Sequence, residues 1–238
     1  MAKRPVFVAI DRPPFVLVQN VDFQFFPGFA VSQKQKSIMS LHECFTQTHS
    51  DYAGLVLEIS SKSPVLLGVK LSAFNLQYQL NDGQFRPVEC VFQSSKCFSN
   101  GCQYTDILEM TPHDAKHDNR LRNSGDVIAF RLEGEEFPTK PVTFFYDWIY
   151  INALGHNPSL VKDILNYNAF TDIEFNPDRS WNCQARSVAM FVGLSKAGVL
   201  SEALKTKDSF LSLAYQFNTQ QPQIPNEARQ LTMDDLLG

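Results

Sequence analysis

The run TFFYDWIYINAL, over residues 143–154, constrains the fold most, because apolar side chains fall on almost every face of it. The run is long enough for a helix, and a helix that is apolar all round must be buried. The 238-residue chain is 44% hydrophobic. A chain of this length buries roughly 70% of its unfolded surface, so a core around such a helix can form. The sequence therefore predicts a globular protein with a buried helix over 143–154.

Around this run the sequence predicts a single α+β domain. Short apolar stretches between Pro and Gly signals predict strands over 6–10, 15–18, 21–26, 55–60 and 126–132. Helical periodicity predicts further helices over 32–48 (with Ser32 as N-cap), 88–98, 112–115, 158–167 and 184–196. We divide the chain into a β-rich N-terminal extension over 1–65 packed on the core, a helix-rich core over 66–217 and a flexible tail over 218–238.

The charge balance restricts the ways in which the chain could bind nucleic acid. The formal net charge is −4 and the pI is near 5.7. A globally basic DNA-binding domain is therefore excluded, and any DNA contact must use a local patch such as Lys34 and Lys36. No apolar run approaches the roughly 18 residues of a membrane span, and the N-terminus does not read as a signal peptide. These features predict a cytoplasmic protein.

Metal and cofactor chemistry leaves little trace in the sequence. Five cysteines without a CxxC pair predict reduced thiols. Cys97 with Cys102, and His113 with His117, supply too few ligands for a metal site. The GxSxG, GxxxxGK[ST] and GxGxxG motifs are absent. We therefore expect no metal and no cofactor.

The predicted helix over 88–98 carries an acid and a base at helical spacing. Glu89, Gln93 and Lys96 stand at i, i+4 and i+7, and Phe92 is among the apolar residues that cover the other faces. In a buried helix, such an acid and base must pair, meet water in a cleft or meet a ligand. On an exposed helix they would form an ordinary solvated Glu–Lys stripe. The spacing alone leaves both interpretations open.

A second acidic segment, TDIEFNPDRSW, covers residues 171–181. Asp172, Glu174 and Asp178 lie close together there, and Trp181 follows them. Carboxylates beside an aromatic ring are typical of sugar-handling sites, and equally typical of an exposed acidic loop. Trp148, in the buried run, is either a core residue or a stacking platform for a ligand.

The same residues carry a family resemblance. Phe74-Asn75, the Gly83 turn and the segment 87–98 resemble the signature of the NADAR (YbiA-like) superfamily, in which a Ser-Asn-Phe element precedes a helix reading roughly T-S-E-H-Y-F-Q-A-x-K-F. Longer segments resemble the NADAR antitoxins that accompany DNA-targeting ADP-ribosyltransferase toxins; these segments are 29–42, 57–63, 104–109, 145–154 and 171–187. The chain departs from the superfamily at Cys90, which replaces a His, and at Asn182, which replaces a Gly.

This resemblance implies a NADAR-like α+β domain with ADP-ribosylhydrolase activity. The substrate would be DNA with ADP-ribose on guanine, the product ADP-ribose, and a cognate ADP-ribosyltransferase toxin would be a further partner. Glu89 would supply the essential carboxylate and Asp178 the second acid. Lys96 would either bind the diphosphate or attack C1′ of the ribose as a Schiff-base nucleophile.

The remaining expected contacts belong to substrate binding. The residues expected to bind substrate are Phe92, Gln93, Trp148, Glu174, Trp181 and Lys36. Two other functions stay open on the sequence alone. One is an N-glycosidase that acts on a small riboside phosphate, and the other is a non-catalytic protein that binds ADP-ribose or neutralises the toxin.

Overall fold

A computed structural model describes residues 1–178 and 180–215, and the predicted tail over 218–238 lies outside them. Helices and short strands alternate along the described chain, so the predicted α+β class is confirmed. The strands are β1 Ala2–Ala9, β2 Val16–Phe23, β3 Val56–Glu58, β4 Gln77–Gln79, β5 Phe85–Pro87, β6 Lys96–Phe98, β7 Val127–Leu132, β8 Glu135–Phe137 and β9 Ala169–Thr171.

The helices include both long core helices and single turns. They are α1 Val31–Thr48, α2 Leu66–Lys70, α3 Val88–Ser94, α4 Pro112–His117, α5 Arg120–Asn123, α6 Phe144–Gly155, α7 Pro158–Ile164, α8 Gln184–Lys196, α9 Leu200–Ala203 and α10 Lys207–Tyr215. Two 3-10 turns cover Ser50–Tyr52 and Thr105–Glu109. None of the described helices is long and apolar enough to cross a membrane.

The largest sheet joins the N-terminal strands to a strand from late in the chain. Its order is β2-β1-β9-β3. β9 pairs antiparallel with β1, where Phe7 opposes Phe170, and parallel with β3, where Glu58 opposes Thr171. Strands from the first 65 residues therefore pair with both edges of β9, the strand that leads into the acidic segment 171–181. The domain boundary at residue 65 stays a prediction.

The core forms around α6, as the apolar run predicts. Phe144, Phe145, Ile149, Tyr150 and Leu154 are each no more than 1% exposed. α6 packs against α3 on one side and α8 on another. A helix that is apolar on all faces is thus surrounded by other elements, which removes its side chains from water.

The predicted helix over 88–98 is wrong at its C-terminal end. α3 stops at Ser94, and the chain turns into β6, where Lys96 opposes Phe130 of β7. The hydroxyls of Ser94 and Ser95 both donate to the Val91 carbonyl, at 3.1 and 2.7 Å. Serine hydroxyls that bond the preceding turn compete with helix continuation, and the sheet pairing then carries the chain away.

Further boundaries differ from the sequence predictions, among them those of β2, α7 and α1. The strands predicted over 15–18 and 21–26 form one strand, β2, which ends at Phe23. The helix predicted over 158–167 ends at Ile164. α1 begins at Val31 with Ala30 as N-cap, so the predicted N-cap Ser32 is wrong. The Gln33 and Lys34 amides donate to the Ala30 carbonyl and close the first turn one residue earlier.

Candidate active site

The acid of the predicted site lies on a completely buried helix. Every residue of α3 is buried, and Glu89 and Gln93 are each 7% exposed. The Gln93 Nε2 amide donates to Glu89 Oε1 at 2.8 Å, as side chains at i and i+4 can. The Glu89 backbone amide donates to the Ala73 carbonyl at 3.0 Å. The interpretation as a solvated stripe is therefore wrong, and Glu89 is held among protein groups.

Lys96 reaches the same cluster from β6 rather than from a helical face. Its Nζ stands 4.9 Å from the centroid of the Phe92 ring. Burial lowers the pKa of Lys96 to about 8, although the charge of Glu89 acts to raise it. Lys96 forms no ion pair with the residues that the structure describes. About a tenth of this lysine is therefore an uncharged amine at pH 7, and about half at pH 8.

Tyr146 of α6 connects this cluster to the acidic segment. Its ring meets Phe92 edge to face, with centroids 5.2 Å apart. Burial raises the pKa of Tyr146 well above its usual value, and the charges of Glu89 and Asp172 raise it further. Both carboxylates therefore lie near this phenol. Sequence reasoning grouped Asp172 with the acidic segment but did not select it as a site residue.

Asp172 follows β9 directly and is 8% exposed. Its Oδ1 accepts hydrogen bonds from the backbone amides of Glu174 and Phe175, at 3.0 and 3.2 Å. Burial, followed by the charge of Glu58, raises the pKa of Asp172 to about 8. Its position immediately after a buried strand is the sequence signal that could have singled it out.

Glu58, at the end of β3, is 1% exposed and receives three hydrogen bonds. The Thr171 hydroxyl donates to Oε2 at 2.6 Å, and the Ser60 hydroxyl and the Ile173 amide donate to Oε1 at 2.7 and 2.8 Å. Burial raises the pKa of Glu58. Sequence reasoning missed this residue, because only the parallel pairing of β3 with β9 brings it beside Thr171.

The other predicted residues lie outside this buried cluster. Glu174 and Asp178 are exposed, and Trp181 is half-buried. Glu174 forms an ion pair with Lys34, at 3.1 Å, while Lys36 is exposed on α1. None of the contacts recorded for described residues joins Asp178 or Trp181 to Glu89. The structure therefore brings together Glu89, Phe92, Gln93 and Lys96 from the predicted set.

Trp148 packs as a core residue. Its ring lies 6.3 Å from Phe137 and 5.6 Å from Phe210, measured between centroids. The ring is half-buried among side chains of the main core. This packing favours the core interpretation of Trp148 over a stacking platform.

Cys90 occupies the position at which the superfamily has a histidine. The thiol donates to the Met110 carbonyl at 3.3 Å. Burial, and next the charge of Glu89, raise the pKa of Cys90 to about 11. The thiol is therefore protonated at neutral pH and cannot replace a histidine base. In residues 1–178 and 180–215, no cluster of three His, Cys, Asp or Glu side chains is arranged to hold a metal ion.

A surface cavity of about 430 Å³ opens beside the C-terminal end of α3. Ser94, Ser95, Gln103 and Arg131 are among its lining residues, whereas Glu89 and Lys96 are not. Burial shifts the pKa values of Lys96 and Asp172, which lie instead beside Phe92 and near Tyr146. Shifted pKa values in one cluster are a better guide to catalytic chemistry than a surface depression, so we place the site there.

The comparison with known protein families covers nearly the whole chain. A family model described as DarT1-associated NADAR antitoxin matches residues 2–224. The match begins in β1, so the N-terminal strands belong to the pattern of the family. No curated protein sequence matches the chain. Because the model covers nearly the whole chain, this protein belongs to the family of DarT1-associated NADAR antitoxins.

Proposed function

We propose that the protein is an ADP-ribosylhydrolase that cleaves the N-glycosidic bond between ADP-ribose and guanine in DNA and so reverses the action of a DNA ADP-ribosyltransferase toxin. The observation that carries this proposal is the buried carboxylate Glu89 close to Lys96, whose pKa is lowered to about 8. The membership in an antitoxin family supports the toxin as partner.

Breaking an N-glycosidic bond leaves positive charge on the ribose C1′ and negative charge on the departing base. An uncharged Lys96 amine can attack C1′, so that the N–C1′ bond to lysine forms as the bond to guanine breaks. The electron pair of that bond leaves with guanine, which takes up a proton. Lysines with lowered pKa values are the usual nucleophiles of this type.

The lysine adduct is then resolved by water. The nitrogen loses a proton to Glu89, and its lone pair expels the ring oxygen O4′, which is protonated, so that an imine to C1′ forms. Water adds to C1′, the lysine amine leaves, and the ribose ring closes again. The sum of the steps consumes one water and releases ADP-ribose and unmodified guanine. We propose that Glu89 holds these protons; the effect of its negative charge on the pKa of Lys96 supports this role.

Gln93 supports a polar ligand at the same place. Its amide nitrogen donates to Glu89, whereas its buried Oε1 has no hydrogen-bond partner among the residues that the structure describes. A buried acceptor without a partner costs about 1–3 kcal/mol. A hydroxyl of the ribose or an N–H of guanine would satisfy it. We propose that Phe92 and Gln93 contact the substrate here, and that Glu174, Trp181 and Lys36 contact it from the surface.

The test is release of ADP-ribose from an oligonucleotide with ADP-ribosylated guanine, under single-turnover conditions. Glu89→Gln keeps the volume of the side chain and removes its charge, so the rate should fall by about 10²–10⁴-fold. The matched control is Glu43→Gln, which changes an exposed glutamate on α1 and should leave the rate unchanged. Near-normal turnover by Glu89→Gln would remove this residue from the mechanism.

Lys96→Arg separates the two roles of the lysine. Arginine keeps a positive charge for the diphosphate but cannot form an imine. We expect loss of release together with loss of the adduct that borohydride traps in the wild-type protein, detected by mass spectrometry of the intact chain. Retained release of ADP-ribose by Lys96→Arg would exclude the covalent route.

Activity of the wild-type protein on a small riboside phosphate, without activity on ADP-ribosylated DNA, would contradict the proposed DNA substrate.

A further inference from the structure

The acidic segment after β9 contains two aspartates in opposite environments. Asp178 is exposed, and its backbone amide donates to Asn176 Oδ1 within the loop. Asp172 is 8% exposed, which is close to the 7% of Glu89. A group that delivers a proton to a leaving base must be sheltered from water and close to the reacting atoms. Of these two aspartates, Asp172 meets the first condition.

A continuous set of contacts also connects Asp172 to Glu89. The Gln184 side chain hydrogen bonds to Asp172, and its Oε1 accepts from the Ala73 amide at 2.8 Å. The Ala73 carbonyl in turn accepts from the Glu89 amide at 3.0 Å. The negative charges of both carboxylates raise the pKa of the Tyr146 phenol. Asp172 and Glu89 are therefore connected through Gln184 and Ala73, and both lie near Tyr146.

The neighbouring groups decide which carboxyl holds a proton. Two carboxylates this close and this buried cannot both be charged without a large cost. Three donors stabilise a charge on Glu58. Asp172 also receives three, from two backbone amides and the Gln184 side chain, but the charge of Glu58 adds to the effect of burial and keeps the proton on Asp172. The Thr171 hydroxyl, which donates to Glu58, accepts from His42 Nε2 at 2.8 Å. Burial lowers the pKa of His42 to about 4, so this histidine is neutral.

Other charged groups face Asp172 without cancelling this arrangement. Glu174 adds negative charge, and its carboxylate is paired with Lys34. Arg4 faces both Asp178 and Asp172 but forms an ion pair with neither among the described residues. Burial keeps Tyr150 and Cys183 protonated, because it raises their pKa values well above the usual ones. Asp172 is therefore the protonated member of the pair near neutral pH.

We propose that Asp172, and not the exposed Asp178, is the acid that protonates the departing guanine, with Glu58 as the residue that keeps it protonated. This inference rests on the proposed function. As the C1′–N bond breaks, its electron pair stays on guanine and the Asp172 proton moves to the base. Asp172 is then a carboxylate beside Glu58, and their repulsion favours uptake of a new proton from water before the next turnover.

Two leaving groups distinguish an acid from a structural residue. The first substrate is the oligonucleotide with ADP-ribosylated guanine, and the second is the α-anomer of 4-nitrophenyl ADP-ribose, whose nitrophenolate leaves without a proton. Asp172→Asn should lose about 10²–10⁴-fold on the guanine substrate and at most a few-fold on the nitrophenyl substrate. Asp163→Asn, at an exposed aspartate on α7, is the control that should change neither rate.

The outcomes separate this inference from the function on which it rests. If the wild-type protein releases ADP-ribose from neither substrate, the proposed function fails. If Asp172→Asn loses both substrates equally, or if Asp178→Asn alone shows the leaving-group dependence, the assignment of Asp172 is overturned. Circular dichroism and thermal melting of each variant show whether a loss reflects the fold.

The pH profile of the wild-type protein tests the same assignment without any variant. For the guanine substrate, kcat/KM should fall above about pH 8, where Asp172 loses its proton. The nitrophenyl substrate should lack this alkaline limb, and a limb on both substrates would contradict the assignment. Glu58→Gln removes the like charge and should move the limb to lower pH by roughly one unit. An unmoved limb in a folded Glu58→Gln would exclude Glu58 from this role.

Discussion

Two clusters of buried acids stabilise the same domain in different ways. Asp147 of α6 is 1% exposed and forms an ion pair with Arg186 of α8. Glu58 and Asp172 are buried to a similar extent, yet neither forms an ion pair with a described cation. The first cluster is balanced by a charge of opposite sign, and the second by retention of a proton. A buried carboxylate with a guanidinium partner is thus a structural group, and one that keeps its proton beside a second acid is available for chemistry.

The Asp147 cluster ties three helices together. The Ser187 hydroxyl donates to Asp147 Oδ1 at 2.6 Å, and the Tyr215 hydroxyl of α10 donates to Oδ2. Arg186 also donates to the Thr143 hydroxyl at 3.1 Å. Every polar group named here has a partner within the cluster. Removal of one member should therefore affect stability rather than turnover.

The largest expected effect comes from Asp147→Asn. The variant leaves the Arg186 guanidinium buried without its counter-charge, which costs about 3–5 kcal/mol of unfolding free energy. Urea unfolding followed by circular dichroism measures this loss. Asp163→Asn is again the control, because an exposed site changes stability by about 0.5 kcal/mol or less. A loss below about 1 kcal/mol for Asp147→Asn would show that the ion pair does not hold these helices together.

The second prediction concerns the pH dependence of stability. The pKa of Asp172 is about 8 in the folded protein, above the ordinary value of 3.8. Between these pH values the unfolded chain has released a proton that the folded protein keeps, so stability is lost as pH rises towards 8. Asp172 therefore contributes a fall of up to ~1.4 kcal/mol per pH unit.

His42 decides the pH window in which this fall is visible. Its pKa drops from 6.5 to about 4 on folding, so its contribution rises with pH between these values and opposes that of Asp172. The net fall should therefore appear between about pH 6.5 and 8. Urea unfolding at several pH values in this window measures the slope. Asp172→Asn should flatten it, while Asp147→Asn should leave it intact; an unchanged slope in Asp172→Asn would contradict the retained proton.

The smallest effect is expected from the two lysines of α1, Lys34 and Lys36, which contrast with the buried Arg186. Lys34 is already paired with Glu174, whereas Lys36 is exposed and has no ion pair among the described residues. Lys36→Ala should change stability little and reduce the salt dependence of activity on ADP-ribosylated DNA by about one phosphate contact. Lys34→Ala should cost at most ~1 kcal/mol of stability.

The comparison for Lys36 uses a small substrate. Release from ADP-ribosylated deoxyguanosine should be the same for Lys36→Ala and the wild-type protein, because that substrate has no DNA phosphates. Rates are measured over a series of salt concentrations on both substrates. An equal loss of rate on both substrates would indicate that Lys36 contacts ADP-ribose. An unchanged salt dependence on DNA would indicate that other residues contact the DNA phosphates.

Local patterns in the sequence were sufficient for the longest helices and for the pairing of Glu89 with Gln93. The apolar run over 143–154 predicts α6, and periodicity predicts α8 over 184–196, because helix geometry repeats every 3.6 residues and depends on near neighbours. The spacing of Glu89 and Gln93 places both on one face for the same reason. The motifs around them were also enough to identify the NADAR antitoxin family.

Pairings between distant segments decided the rest. Lys96 lies beside Glu89 because the chain turns at Ser95 and β6 pairs with β7. Helical periodicity in the sequence does not predict this strand pairing. Glu58 meets Asp172 because β3 and β9 lie parallel, with Glu58 opposite Thr171. Whether an acid is exposed, paired with arginine or keeps its proton depends on such registers. Burial and neighbouring charge set a pKa, and both are properties of the folded chain.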